Sequence, residues 1–264
     1  MIDRITEQPF CQTRVMCRAV DNLELLLSQP DESVDLIYCD ILYGTGNNFG
    51  DYTDLKPIRN EIENHYRPRL KEMCRVLKST GSIYLQMDFR IEHWIRLILD
   101  DYFITQNSIT WCYDRWTNSQ NKFIPQSDRI LFATKTKKYT FNKIKVEFSS
   151  KSKHKGSRFS KFENGNLKQN YINQKREKDC GDWWNISYLN SQSKERVGYA
   201  TQKPKKLIER IIKASSNEGD TVADYYLGSG TTAVVCKELN RNFIGCDINP
   251  KAIEITNARL DAVR

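Results

Sequence analysis

The sequence predicts an α/β protein, a mostly parallel sheet with helices on both faces, carrying one small insertion. Three observations point there. Short apolar runs of strand length alternate with amphipathic helical stretches, the pattern of a parallel sheet covered on both sides. Within residues 221–247 an apolar strand runs into glycines that open a helix, and a second strand ends in a carboxylate. Over about 145–195 the periodicity fails, and basic residues crowd much of that stretch.

Taken in order, residues 21–29 carry Leu23, Leu26 and Leu27 at helical spacing, and Pro30, Asp31, Glu32 and Ser33 make a turn. Residues 34–39 form a mostly apolar strand with Asp40 at its C-terminal end, and a glycine-bearing loop follows over 43–50. A helix is predicted from about 60 to 78, with Leu70, Met73, Cys74 and Leu77 on one face, ended by Ser79, Thr80 and Gly81. Residues 82–87 are the next strand. Residues 91–100 are a helix that turns Ile91, Trp94, Ile95, Ile98 and Leu99 inward, and 109–113 and 129–134 read as strands. The irregular stretch ends at Trp183, Trp184, Asn185 and Ile186. A helix begins near Pro204, a residue favoured in first turns, with Leu207, Ile208, Ile211 and Ile212 as its stripe; residues 217–220 close it. The strand–glycine–helix–strand unit comes next, then a last helix from about 250 to 262. The chain therefore divides into a main domain, 1–144 and 196–264, and a basic insertion, 145–195.

The formal charge is +8, and its placement matters more than its size. Residues 135–178 hold fourteen Lys or Arg against three Glu, so the remainder of the chain is slightly acidic. Tyr139, Phe141, Phe148, Phe159, Phe162 and Tyr171 are interleaved with these cations. Such a mixture suits a phosphate backbone and stacked bases; it also suits a solvated loop, and the two readings are compatible. No apolar run approaches the roughly 20 residues of a membrane span, and Met1, Ile2, Asp3 and Arg4 open no apolar core of the kind a signal peptide carries, so none is expected. Cysteines 11, 17, 39, 74, 112, 180, 236 and 246 lack paired spacing, which reads as free thiols of a reducing cytoplasm. Histidines 65, 93 and 154 are far apart, so no metal site is expected.

Gly228, Ser229 and Gly230 followed by Thr231 let a ligand approach backbone at a helix start, and Asp247 lies nineteen positions after Gly228. That is the layout for an adenosine-like cofactor whose ribose hydroxyls meet the second acid. The three-glycine dinucleotide pattern and the Gly-Lys-Ser/Thr phosphate loop are both missing, which favours a monomeric adenosine derivative over a diphosphate. Asp40 and Asp224 both end strands, where open α/β sheets bind ligands. Asp40 beside Tyr43 is a receptor for an amino-bearing base: a carboxylate and a backbone carbonyl accept the amine protons while the ring stacks.

These segments resemble the β class of bacterial amino-methylating DNA methyltransferases, in which the catalytic motif precedes the cofactor motif. Asp40, Ile41, Leu42 and Tyr43 match the two ends of the family's Asp-Pro-Pro-Tyr. Residues 224–232 match Asp-Pro-Phe-x-Gly-Ser-Gly-Thr-Thr, with Tyr225 and Tyr226 in place of Pro and Phe. Thr201, Gln202, Lys203 and Pro204 match the segment at the methionine end of the cofactor, and Asp21 an acid near its adenine; residues 78–85 and 193–196 also fit. The resemblance spans roughly 21–141 and 180–260 and implies a Rossmann-like S-adenosylmethionine-dependent fold with the insertion in the target-recognition position. It implies transfer of a methyl group to the exocyclic N6 amine of a flipped adenine in double-stranded DNA. N4 of cytosine is the alternative, less favoured because cytosine-specific members more often carry Ser where Asp40 stands. It further implies Asp40, Ile41, Leu42 and Tyr43 as catalytic residues. The cofactor would lie against Asp21, Thr201, Lys203, Asp224, Tyr226, Gly228, Ser229, Gly230, Thr231 and Asp247. Family analogy suggests a homodimer and a cognate restriction endonuclease acting on the same site. The sequence also departs from the pattern. Ile41 and Leu42 restore two N–H groups and lose the φ restraint of proline, so other contacts hold this loop or the chain is a catalytically impaired DNA-binding relative. Gln86 and Ser127 stand where the family often has His.

Overall fold

The computed structural model describes residues 13–48, 53–115, 118–147, 162–163, 166–167 and 177–263, which form two units, 1–142 with 182–264 and 143–181. The first unit opens with β1 (Val15–Ala19), which periodicity alone does not reveal because this edge strand is only half covered. Asp21 then caps α1 (Asn22–Ser28), its Oδ1 accepting from the Leu23 N–H at 2.8 Å. β2 (Val34–Asp40), α2 (Arg59–Val76), β3 (Leu77–Met87) and α3 (Phe89–Asp100) follow. Next come β4 (Ile104–Cys112) and β5 (Ser127–Thr134). The second unit holds two strand pairs, β6 (Lys145–Glu147) with β9 (Glu177–Asp179) and β7 (Phe162–Glu163) with β8 (Asn166–Leu167). Back in the first unit are β10 (Trp183–Asn185), α4 (Lys205–Ser215), β11 (Thr221–Asp224), α5 (Thr231–Glu238), β12 (Asn242–Asp247) and α6 (Pro250–Asp261).

Eight strands form one sheet in the order β1-β12-β11-β2-β3-β5-β4-β10. Every neighbouring pair is parallel except β3–β5 and β5–β4. β2 lies near the middle and is buried on both sides of its pleat. Ile37 and Cys39 join the core cluster built from α1, α2 and α3, while Leu36 and Tyr38 point the other way and are equally buried. α4 packs on β2 and β3 with α5 beside it. A central strand covered twice reads as a continuous apolar run, which is why β2 is legible from sequence.

Two expectations shift. The helix predicted to 78 stops at Val76, and β3 starts at Leu77, pairing with Val34 through a register irregularity. Gly81 permits that path: a Cβ there would lie 2.6 Å from the Leu77 side chain and 2.9 Å from the Asp35 carbonyl. Lys78 fastens the strand start to Asp35 at 2.8 Å. The second shift is the boundary of the insertion. Residues 182–195 belong to the first unit: β10 extends the sheet alongside β4, Trp184 and Ile186 are buried, and the Trp111 indole donates to the Ile186 carbonyl at 2.7 Å. Phe148, Phe159 and Tyr171 of the expected recognition segment, and Phe49 and Gly50 of the loop after Tyr43, lie outside the described residues. Among the described residues no helix is long and apolar enough to cross a membrane.

Candidate active site

Parallel strands end on one edge of a sheet, and three of these ends carry acids: Asp40 on β2, Asp224 on β11 and Asp247 on β12. The ladder places Ala223 beside Ile37, Asp224 beside Gly245 and Ala19 beside Asp247, so Asp40 and the glycine turn after Asp224 share that edge. They line one cavity of about 650 Å³. Asp21, Ile41, Leu42, Tyr43, Thr201, Lys203, Tyr226, Gly228, Ser229 and Thr231 line it too.

The glycine turn is built by two left-handed residues, Gly228 (φ 53°) and Gly230 (φ 73°). At Gly230 the backbone of the turn meets α6: an added Cβ would sit 2.2 Å from the Thr256 hydroxyl. Arg259, also on α6, donates to the Ser229 carbonyl at 2.6 Å and to the Thr231 hydroxyl at 3.1 Å. Asp247 accepts from the Gly228 N–H at 2.8 Å and from the Asn249 N–H at 2.9 Å. Burial lifts its carboxyl above the ordinary range, against those backbone hydrogen bonds. Asp224 is deeper, 2 % exposed, and braces β11 to α5: it accepts from the Tyr226 N–H at 3.0 Å and the Thr232 hydroxyl at 2.6 Å. Burial pushes its carboxyl up to about 7.

The far side of the cavity, beside Asp21, is polar in a way the sequence does not announce. His65 on α2 lies 3.0 Å from the Tyr226 hydroxyl, and burial with Arg69 nearby lowers its imidazole to about 4, so it is neutral at physiological pH. Arg69 pairs with Asp21 at 3.0 Å, so Asp21 both caps α1 and faces the cavity. Asn249 lines the same region, and its amide nitrogen is buried with no hydrogen-bond partner among the described residues. An orphaned donor beside a ribose-suited acid is what an adenosine's ring nitrogens would satisfy, and the donor set as a whole fits such a molecule. His65 gives one faint signal in sequence, its spacing of four from Arg69 on a helix. Asn249 gives none.

At the catalytic end, Asp40 is ion-paired with Lys203, whose ammonium also sits 5.2 Å from the centre of the Tyr43 ring. Lys203, expected beside the cofactor's carboxylate, is here on Asp40. Burial raises the Asp40 carboxyl, Lys203 lowers it, and Asp128 raises it; the net direction is up. The loop that lacks the prolines is held by other means. The Ile41 N–H donates to the Gln86 carbonyl at 3.0 Å, and the Tyr66 hydroxyl donates to the Leu42 carbonyl at 3.2 Å. Buried Asp54 takes the Gly44 N–H at 3.1 Å, the Thr45 N–H at 2.8 Å and the Thr45 hydroxyl at 2.7 Å. Tyr43 is tied through its hydroxyl to Asp40 at 2.9 Å. A carboxylate at a strand end, an aromatic ring beside it and a cavity of about 650 Å³ alongside, lined by the glycine turn and Asp247, can bring an amine and an adenosine-borne group together.

Comparison with known proteins agrees. The family model for DNA methylase, N6_N4_Mtase, matches residues 34–258. The type II methyltransferase M.HpaI of Haemophilus parainfluenzae is 36% identical over 94% of this chain and 74% of its own length. The DNA adenine methyltransferase YhdJ of Escherichia coli K12 is 34% identical over 91% of this chain and 81% of its own. Among solved structures, the M1.HpyAVI–SAM complex superposes with a TM-score of 0.63 at 21% identity, covering 94% of this chain and 99% of the other. The strand-end acids, the glycine turn and the match over most of the chain lead to one conclusion: the protein belongs to the N6/N4 family of amino-methylating DNA methylases.

Proposed function

We propose that the protein transfers a methyl group from S-adenosylmethionine to the exocyclic N6 amine of an adenine turned out of duplex DNA. The observation that carries this reading is the meeting of Asp40 and Tyr43 with the Gly228–Asp247 turn in one cavity. Bound in the cavity, S-adenosylmethionine supplies an electrophilic methyl group. Asp247 would hold its ribose hydroxyls, Asp21 and Asn249 its adenine, and the 228–231 turn with Thr201, Asp224 and Tyr226 the ribose and methionine side. A stacked, paired amine cannot align with that methyl group, so the base leaves the helix. Asp40 and the Ile41 carbonyl would accept hydrogen bonds from the two amine N–H groups, which directs the nitrogen lone pair at the methyl carbon. Tyr43 would stack on the base. Most of the acceleration would come from alignment and from the Asp40 charge opposing the positive charge that develops on nitrogen. Lys203 would leave Asp40 as the amine arrives.

Adenine is favoured by the carboxylate at position 40 and by the similarity to an adenine methyltransferase. The insertion would contact DNA, and family likeness supports a homodimer acting in the cytoplasm beside a cognate endonuclease. The test is labelled methyl transfer to unmodified DNA followed by nucleoside analysis. N6-methyladenine is expected, with Asp40→Ala slowed by roughly 10²–10³-fold, the scale of losing one catalytic electrostatic partner. N4-methylcytosine as sole product would reassign the base. Salt-sensitive DNA binding with no transfer on any sequence would make the chain a binding relative, its Ile41-Leu42 loop the first suspect.

A further inference from the structure

Behind Tyr43 lies a buried polar cluster that the transfer step does not use. Asp128, 6 % exposed, sits on β5, and Gln86, fully buried, sits next to it on β3. Tyr38 donates to Gln86 Oε1 at 2.8 Å. The Gln86 amide nitrogen lies 3.0 Å from the Tyr43 hydroxyl oxygen and 2.9 Å from Asp128 Oδ2, one proton for each. Tyr113 donates to Asp128 Oδ1 at 3.0 Å. That assignment uses every donor once and fixes which way the Gln86 amide points.

One proton has two destinations. The Tyr43 hydroxyl oxygen is 2.9 Å from Asp40 Oδ1 and 2.8 Å from Asp128 Oδ2. Burial between these two carboxylates keeps the phenol protonated far above its usual range, so it is a donor at all working pH. It can face only one carboxylate at a time, and changing between them needs rotation of the O–H bond alone. An incoming amine must donate to the same Asp40 that Tyr43 serves.

We infer that Asp128 is a positioning residue for the transfer reaction: it is the alternate acceptor for the Tyr43 hydroxyl, freeing Asp40 for the target amine while the Tyr43 ring stays in place. The inference rests on the functional reading above. It makes Asp128 act through one atom, the Tyr43 hydroxyl. In a chain whose loop has Ile41 and Leu42, this hydroxyl also holds the loop to the sheet.

The test is a double-mutant cycle on the full chain, read by single-turnover methyl transfer and by S-adenosylmethionine affinity. Asp128→Asn and Asp128→Ala should each slow transfer about tenfold or more, a loss of roughly 1.4 kcal/mol in the barrier. Cofactor affinity should stay within about twofold, inside the scatter of near-neutral changes. In a Tyr43→Phe background the same changes at 128 should add nothing. Losses that multiply in that background, full activity of both single variants, or a parallel loss of cofactor affinity would each overturn the inference. A readout independent of turnover uses 3-fluorotyrosine at position 43. Its fluorine resonance should move in Asp128→Ala, and an unmoved resonance also overturns the inference. If the unmodified chain methylates nothing, the functional reading fails, and the resonance still reports whether Asp128 governs Tyr43.

Discussion

At the residue scale the site is a division of labour among carboxylates. Asp224 is satisfied by Tyr226 and Thr232 and braces the turn from within, whereas Asp247 ties the turn with two backbone hydrogen bonds and lies on the cavity wall. Each accepts two hydrogen bonds, so access separates them: Asp247 is half-buried and can meet a ribose, whereas Asp224 is buried. The prediction belongs to Asp247. Replacing it with Ala should weaken S-adenosylmethionine binding by about 10–100-fold, since hydrogen bonds involving a charge contribute roughly 1.5–3 kcal/mol. Asp247→Asn should lose less, because the amide oxygen still accepts. Isothermal titration calorimetry decides it: an unchanged affinity in Asp247→Ala would remove this residue from the cofactor site. Asp40 and Asp247 are legible in sequence because each ends an apolar run. His65 and Asn249 are not, since a lone His inside a helix and an Asn before Pro250 resemble any cap or surface position.

At the element scale the joint between β11 and α5 stores a pH dependence. Asp224 titrates near 3.9 in an unfolded chain and at about 7 when folded, because burial disfavours its charge. The folded state thus holds a proton the unfolded state lacks over that window. Stability from this group is fully present below about pH 4 and is lost as pH rises towards about 7. His65 runs the other way, lowered to about 4, so its contribution is lost as pH falls from its unfolded value near 6.5 through about 4. Comparing the chain with Asp224→Asn separates the two. The variant should gain stability relative to the unmodified chain between about pH 4 and 7 and run parallel above that. Melting temperatures at a pH series measure the gap; a gap that does not change with pH would show that Asp224 ionises in the fold as it does in water. The elements themselves are readable in sequence where burial imposes a pattern, a continuous apolar run in β2 and a helical stripe in α3 and α4, and where glycines mark the turn before α5. β1 escapes because an edge strand buries one face, and β10 because Trp183 is exposed beside buried Trp184, a three-residue stretch too short to show a period. The start of β3 reads as helix in sequence because Leu77 continues the apolar stripe of α2, and only the pairing with β2 decides otherwise.

At the scale of the whole molecule, charge is separated along the chain. The net +8 arises from residues 135–178, and the remainder of the chain is mildly acidic. A polyanionic substrate would not be drawn to that remainder by its net charge, so phosphate binding must rest mainly with the basic segment. Each phosphate neutralised adds about 0.9 to the slope of log affinity against log salt. Lys151, Lys153, Lys155 and Arg158 lie outside the described residues, but their charge follows from sequence alone. Changing all four to Gln should flatten that slope by about one unit for each phosphate no longer neutralised, and weaken DNA binding at low salt. S-adenosylmethionine affinity should stay the same, because the described lining of the cavity is drawn from residues 20–65 and 199–250. Fluorescence anisotropy across a salt series reads the slope. Were it unchanged, the basic segment would not be the part of the chain that meets phosphate, and DNA would have to be held by cations scattered over the α/β unit, among them Arg90 and Arg115 near the ends of β3 and β4.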